Sequence, residues 1–549
     1  MKIPKESSDS IPQGGSLNGA IPPQKTNPTN FIIPLANCRK ACYNEQSTDE
    51  ILHPIMTVYA YVRGEIIMIN LNRAVLRDKI HACWVGKNIG GTMGTPYEGR
   101  QQINDIQGFS TPAGVVLPND DLDLQLVWLH AMETFGPYSV DCKILGECWM
   151  NFIPPEWNEY GIGKNNMRSG LMAPLSGEYM NTWKHSNGAW IRTEVWACMA
   201  PAAPDAAIRY AREDACVDHG AGEGTFAAIF VAAMESAAFV INDIRALINI
   251  GLSKIPADCR MARSIKLLLD CYDNGVDWKD ARNKLVEDSA DLGWFEAPAN
   301  VAFSMLGMLY GEGDFKKSMI LAINCGDDTD CTGATLGALW GIMYGTAGIP
   351  EDWASYIGDG ITTVAVNKGS LYGTPTTCTE LTERVYNMIE VTLKANRVGH
   401  VRISDDPMSA DEGDIKWFSN DTYAKTLCGK PGKSYEYDFI WGKGEVRFEG
   451  DPVIAAGESI NVTIFFRNNR TFNDPKHLRL RWLLPDGFTV SGGRRDLYLP
   501  HLSMHSDATA SVTFTITAGD HVDSVNRPVL EVIAQGRPTA GYLPVVLLG

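Results

Sequence analysis

Apolar residues recur along this chain with two different periods, and the change falls near residue 400. From about 69 to 397 the period is helical, with Leu76, Ile80 and Cys83 beside Trp84 on one face. Thr225–Val240 is Ala-rich and apolar nearly all round, which predicts a helix buried on several sides. Farther on, Gly333, Gly337, Gly341 and Gly345 fall at every fourth residue. Each glycine costs a helix about 1 kcal/mol relative to Ala, so close approach of a neighbouring helix is expected to compensate. Gly348-Ile349-Pro350 stops the pattern.

Beyond residue 400 the period drops to two. Ile460, Val462 and Ile464 alternate with Asn461 and Thr463; Leu478, Leu480 and Trp482 with Arg479 and Arg481; Val512, Phe514 and Ile516 with Thr513 and Thr515. Pro485-Asp486-Gly487 and Ser491-Gly492-Gly493 supply turns between them. The pattern predicts an antiparallel β-sandwich of about seven strands. Between the two periods, 398–433 is polar and mixed and reads as a linker with partial structure. The stretch 1–67 has no clear period and is crowded with Ser, Asn, Pro and Gly up to Thr29, so a poorly ordered extension is expected there. A folded part starting at Met68, behind a wrongly assigned start codon, is one explanation that mass spectrometry of the native N-terminus tests. The expected organisation is therefore an extension over 1–67, an all-α domain over 68–397, a linker over 398–433 and a β-sandwich over 434–549.

Composition narrows the partners. The 549 residues allow two or three domains. Asp plus Glu number 65 against 48 Lys plus Arg, a net charge of -17 that argues against nucleic acid or an anionic membrane as the main partner. An anionic substrate would need local metals to draw it in. The 13 cysteines form no CxxC pair and no secretory apolar region opens the chain, so buried thiols in a reducing cytoplasm are expected. No apolar run reaches the roughly 18 residues of a membrane span. Oligomeric state is left open.

Two acidic clusters carry the candidate chemistry. Asn119-Asp120-Asp121 with Asp123 is one, and Asp327-Asp328-Thr329-Asp330 is the other. Each precedes an apolar helical stretch. Asp suits the first turn of any helix, which accounts for one such residue. Carboxylates this dense repel one another, and hard divalent cations with oxygen ligands relieve the repulsion if the fold brings the clusters together. Other segments are compatible with a site. Gly86–Glu98 is a Gly-rich stretch ending in a carboxylate, where backbone can approach a ligand. Gly161–Gly177, with Arg168, Ser169 and Gly170, reads as a long polar loop of the kind that lines sites. Asn187-Gly188-Ala189-Trp190-Ile191-Arg192 and Asp218-His219-Gly220 follow; a lone histidine such as His219 is more often a capping or surface residue than a functional one.

In order, these segments resemble the ADP-ribosylglycohydrolase family, relatives of dinitrogenase-reductase-activating glycohydrolase. That family has a Gly-rich first helix ending in Glu, a Thr-Asp-Asp triplet, an Asn-Gly-Ala-x-x-Arg segment, a Thr-His pair and a Gly-Gly-Asp-Thr-Asp-Thr run before a Gly-rich helix and Gly-Ile-Pro. The counterparts here are Gly90–Glu98, Asn119-Asp120-Asp121, Asn187–Arg192, Asp218-His219 and Gly326–Cys331 through Pro350, over about 70 to 365. The resemblance implies an all-α domain with a binuclear Mg²⁺ or Mn²⁺ site that hydrolyses the glycosidic bond at C1 of a ribose. It places Asp120, Asp121, Asp328 and Asp330 as metal ligands, and Asn119 and Cys331 at ligand positions. Glu98, with Asp121, would serve catalysis, and Arg192, His219 and Gly170 would contact a small sugar or ADP-ribosyl substrate.

The chain departs from the family's pattern at four places. Asn119 and Leu122 stand where Thr is usual, Cys331 replaces the last Thr, and Asp327 replaces a Gly. Sulfur is a soft ligand that suits Mg²⁺ poorly, so the metal site is expected to be altered or to hold one ion. The C-terminal segments Ala456-Gly457-Glu458-Ser459 and Leu484–Phe488 resemble Ig-like domains appended to α-galactosidases, which tilts the substrate toward a carbohydrate. Trp183, Trp190, Trp294 and Phe295 are candidates to stack on a sugar or base, or are core aromatics. Two rivals stand beside the hydrolase: a sugar glycosidase without ADP-ribose activity, and a catalytically silent binding protein on the same scaffold.

Overall fold

The computed structural model describes residues 68–410, 415–469, 474–502 and 507–549. The expected extension over 1–67 lies outside the described residues. The chain enters through strand β1 (Ile69–Asn72), which pairs in parallel with β2 (Val401–Ser404), Ile69 opposite Val401. Asn72 then caps the first helix, its side chain accepting the N–H groups of Ala74 and Val75.

Helices fill the chain as far as Ala395. Those that frame the acidic clusters are α1 (Arg73–Gly94), α2 (Asp120–Phe135), α3 (Asn158–Arg168), α4 (Pro204–His219), α5 (Glu223–Ala238), α6 (Ala297–Tyr310) and α7 (Thr329–Tyr344). α5 and α7 are buried along almost every residue, as all-round apolar sequences require. The expected loop over Gly161–Gly177 is instead helical for much of its length, since α3 runs to Arg168 and a short turn of helix covers Leu175–Glu178. Its glycines and asparagines hide the helical period. Gly163 accounts for itself by position, because a Cβ there would lie 3.2 Å from the Asp218 backbone.

The stretch expected as a linker packs on the helices. Helix α8 (Thr422–Cys428) buries Ala424 and Leu427, which join the helical core together with Phe418. Antiparallel sheets follow: a five-stranded sheet in the order β3 (Ser434–Phe439), β4 (Gly442–Phe448), β5 (Ser459–Asn468), β9 (Thr509–Thr517), β7 (Thr489–Ser491), and a four-stranded sheet in the order β12 (Ala540–Pro544), β11 (Val529–Ala534), β6 (Lys476–Leu483), β8 (Asp496–Leu499). β10 (Val525–Asn526) and β13 (Leu547–Leu548) pair separately. The two larger sheets hold nine strands among the described residues, against about seven expected, because strands as short as β7 and β8 carry too little alternation to be read. Val462, Ile464, Phe514 and Ile516 from one sheet and Leu478, Leu480, Leu530 and Val532 from the other share one core, separate from the helical core. Leu171 and Leu175, from the helical part of the chain, insert into that second core.

Candidate functional site

Backbone contact between two glycine-bearing helices brings the distant clusters together. A Cβ on Gly90 would lie 2.0 Å from the Gly333 carbonyl oxygen, one on Gly86 2.1 Å from that of Gly337, and one on Gly94 2.2 Å from that of Thr329. α1 and α7 therefore run antiparallel with their main chains touching, a separation open only to glycine. Thr329 Oγ1 fixes the register by donating to the Gly94 carbonyl at 2.8 Å. The consequence is local. The end of α1, which leads into Glu98, meets the start of α7, which carries Asp328 and Asp330.

Two ligand sets result. Carboxylate oxygens of Glu98, Asp328 and Asp330 lie within 4.8 Å of one another, as do oxygens of Asp121 and Asp330 and the Cys331 sulfur. Asp330 belongs to both. Glu98 is exposed at the rim, whereas Asp121, Asp328, Asp330 and Cys331 are buried. Tyr160 donates its hydroxyl to Asp120 Oδ2 at 2.9 Å, and Asn187 Nδ2 donates to Asp328 Oδ2 at 2.7 Å. Trp190 Nε1 in turn donates to Asn187 Oδ1 at 2.9 Å.

Helix capping explains part of the acidic sequence and not the rest. Asn119 is the cap of α2, its Oδ1 accepting the Asp121 N–H at 2.8 Å. Asp328 holds the cap position of α7, yet its side chain makes no capping hydrogen bond. Asp123 is tied elsewhere: its Oδ2 accepts the N–H groups of Val364 and Ala365. Asp327 adopts a left-handed backbone, φ 65, at the position where the resemblance implies Gly; Asp tolerates that region better than most residues. Its carboxylate accepts from the Phe295 N–H and from Asn300 Nδ2, both at 3.2 Å.

The electrostatics of the pocket call for positive charge. Burial pushes Asp120, Asp121 and Asp328 above the usual carboxylate range and Asp330 up to about 6. Asp330 and burial push Glu98 up to about 8. Among the described residues Asp121 Oδ2 and Asp330 Oδ1 are buried without a hydrogen-bond partner, the Lys87 ammonium lying 3.8 Å from the former. Unmet acceptors in a low-dielectric pocket are costly, and a divalent cation satisfies them. The Glu98, Asp328 and Asp330 set is all oxygen and fits a hard ion. The set with Cys331 is mixed. Its thiol donates to Asp121 Oδ1 at 3.4 Å, and burial raises its pKa well above the ordinary thiol value.

Each of the three expected substrate contacts is packed against other protein groups. Gly170 faces the sandwich, where a Cβ would meet Arg527 at 3.3 Å and Val546 at 3.5 Å. Arg192 is wholly buried, its guanidinium bonded to Asp214, Asp218 and the Gly188 carbonyl, and so braces the 187–192 segment. His219 is also fully buried, with Nδ1 2.9 Å from Asp218 and Nε2 3.1 Å from Ser186 Oγ. Of the candidate aromatics, Trp190 is core, while Trp294 is 51% exposed.

Sequence reasoning missed Lys87. Its ammonium is buried, 2.7 Å from Glu194 Oε1 and 3.8 Å from Asp121 Oδ2. Gln125 Nε2 donates to the other Glu194 oxygen at 2.8 Å. A lysine seven residues after Ile80 and four after Cys83, on an apolar stripe, was the available signal.

The model of the family described as ADP-ribosylglycohydrolase matches residues 72–390. No curated protein matches the chain. One solved structure, described as an ADP-ribosylglycohydrolase-related protein complex, is 19% identical and covers 58% of this chain and 99% of its own, with a TM-score of 0.40. Another, the alkylpurine DNA glycosylase AlkC of Pseudomonas fluorescens bound to DNA containing an abasic site analog, is 12% identical and covers 74% of this chain and 99% of its own, with a TM-score of 0.12. Neither score supports an argument about activity. The family match spans more than half of the chain and takes in both acidic clusters and the two glycine-bearing helices that join them; the chain belongs to the ADP-ribosylglycohydrolase family.

Proposed function

We propose that this protein is a divalent-metal-dependent hydrolase that cleaves an N- or O-glycosidic bond at C1 of a ribose or related sugar, with Mg²⁺ or Mn²⁺. The supporting observation is the convergence of Glu98, Asp121, Asp328 and Asp330, with two buried carboxylate oxygens that have no hydrogen-bond partner. Asp120, Asp121, Asp328 and Asp330 would hold the metal, with Asn119 and Cys331 at its edge. When bound, divalent ions fix sugar hydroxyls and acidify water. Tyr160 and Asn187 orient Asp120 and Asp328 through the hydrogen bonds described above. Glu98 is the one exposed carboxylate of the two ligand sets, and it handles the proton at the scissile bond. The remaining carboxylates stabilise positive charge developing at C1.

The net charge of -17 supports a small-molecule substrate over nucleic acid. Among the described residues no helix is long and apolar enough to cross a membrane. The described cysteines are all free and ten are buried, which fits a reducing cytoplasm. We assign 68–397 as the catalytic domain and 434–549 as an appended β domain, Ig-like in its sequence signals.

Elemental analysis of the purified protein is expected to find one or two divalent ions per chain, lost in Asp328→Ala. A panel of ADP-ribosylated protein, ADP-ribose esters and aryl glycosides, assayed with Mg²⁺ or Mn²⁺, is expected to yield turnover of at least one class. Metal bound without turnover of any class would replace the hydrolase with a binding protein.

A further inference from the structure

A second pair of carboxylates lies beside the metal cluster, each next to an exposed tryptophan. Segment Ser186–Gly188 is the axis of this arrangement. Its middle residue, Asn187, donates to Asp328. Ser186 forms a β-bridge with Glu296, and Gly188 packs on Glu159, where a Cβ would lie 2.2 Å from Oε1. Glu159 and Glu296 are 6% and 4% exposed, and each has an Oε2 with no hydrogen-bond partner among the described residues. They are close enough that Glu159, after burial, is the next cause raising the Glu296 carboxyl to about 8. No Lys or Arg pairs with either among the described residues, and His219 stands 4.0 Å from Glu159.

Trp157 and Trp294 sit two residues before these glutamates and are 47% and 51% exposed. Both are tied to the metal cluster through a neighbour. The Trp157 ring lies 6.2 Å from that of Tyr160, which donates to Asp120. Next to Trp294, Phe295 is held in a left-handed conformation by its N–H to Asp327, with its ring 3.8 Å from a Cβ position on Gly99, the residue after Glu98. Exposed indoles two residues from buried carboxyl oxygens that lack a partner suit a ring that is apolar on its faces and rich in hydroxyls on its edge. Among the described residues no Lys or Arg beside either glutamate is placed to hold a diphosphate.

We propose that Trp157 and Trp294 form the walls of a sugar-ring subsite beside the metal cluster, with Glu159 and Glu296 accepting the ring's hydroxyls, so that the substrate is an uncharged glycoside rather than a nucleotide diphosphate. The assignment rests on the glycohydrolase reading and names its substrate class. It leaves exposed Arg100, whose guanidinium lies over the Tyr97 ring and donates to the Pro96 carbonyl, outside the subsite.

Calorimetric titration of the full chain in Mn²⁺ with methyl glycosides of the common pentoses and hexoses, both anomers, and with ADP-ribose tests this. At least one neutral glycoside is expected to bind more tightly than ADP-ribose. Trp157→Ala and Trp294→Ala should each weaken that glycoside about ten-fold with an unchanged melting temperature. Glu159→Gln and Glu296→Gln should weaken it and leave ADP-ribose binding unchanged. Tighter binding of ADP-ribose, lost in Arg100→Ala and unaffected by the tryptophan variants, overturns the subsite and leaves the hydrolase intact. Binding of a glycoside with no turnover of any glycoside rejects the hydrolase and leaves the subsite intact. No binding of any methyl glycoside overturns the subsite as well.

Discussion

Asp330 is the residue on which the metal site turns, because both ligand sets share it. In Asp330→Asn the protein is expected to lose all bound divalent metal. Wild type should gain about 2.7 kcal/mol from Mn²⁺ at roughly a hundred times its Kd, and the variant nothing, as read by thermal shift. Asn187 acts one step out, through its 2.7 Å hydrogen bond to Asp328. Asn187→Ala should weaken metal about ten- to a hundred-fold by titration without altering the ion count at saturation. Lys87 is structural in a stricter sense. Lys87→Met strands Glu194 in the interior and should cost about 3–5 kcal/mol in urea unfolding. Residue identities announced the carboxylates, since few other roles explain such density. They could not announce Lys87 or Tyr160, nor that Asn187, within the expected 187–192 segment, reaches Asp328.

The α1–α7 pair decides whether the site exists. Gly90 and Gly337 each face main-chain atoms at distances no side chain tolerates. Gly337→Ala puts a methyl 2.1 Å from the Gly86 carbonyl oxygen, and overpacking of this kind costs about 1–3 kcal/mol. Because the displacement separates Glu98 from Asp328 and Asp330, metal affinity should fall along with the urea midpoint. Retention of full metal affinity in a destabilised Gly337→Ala protein would show that the helices do not set the ligand spacing. The four-residue glycine stripe on α7 was plain in the sequence, and it required a close partner helix. Which helix, and in which direction, was not plain, because Gly86, Gly90 and Gly94 on α1 look equally suited to a ligand-binding loop. The misreading of α3 as loop has the same origin. Glycine is cheap in a turn and useful at a contact, and local sequence does not separate the two.

At the scale of the molecule, the β domain is fastened to the helices by an apolar plug and by charge. Leu171 and Leu175 sit in the sandwich core, and Lys143 pairs with Asp438 at 2.7 Å. Leu171→Asp should loosen the seam, detected as faster proteolysis between residues 398 and 433. The charges give the seam a pH dependence. Burial alone would raise Glu436, but Lys430 and Lys443 outweigh it and hold the folded value near about 2, against an ordinary 4.5. A depressed carboxyl contributes stability that is fully present above 4.5 and lost as pH falls toward about 2, so Glu436→Gln should flatten the acid limb of the unfolding curve in that window. By itself the sequence determined the two classes of secondary structure, through the periods of its apolar residues, and the donor chemistry of the site, through the types of residue in its acidic clusters. The tertiary structure alone decided that residues about 200 positions apart converge on one site, that Arg192 and His219 are buried among protein partners while Gly170 faces the sandwich, and that Trp157 and Trp294 remain at the surface. Periodicity and composition are local properties of the chain, whereas a ligand set is a matter of distance, and distance is fixed only when helices pack.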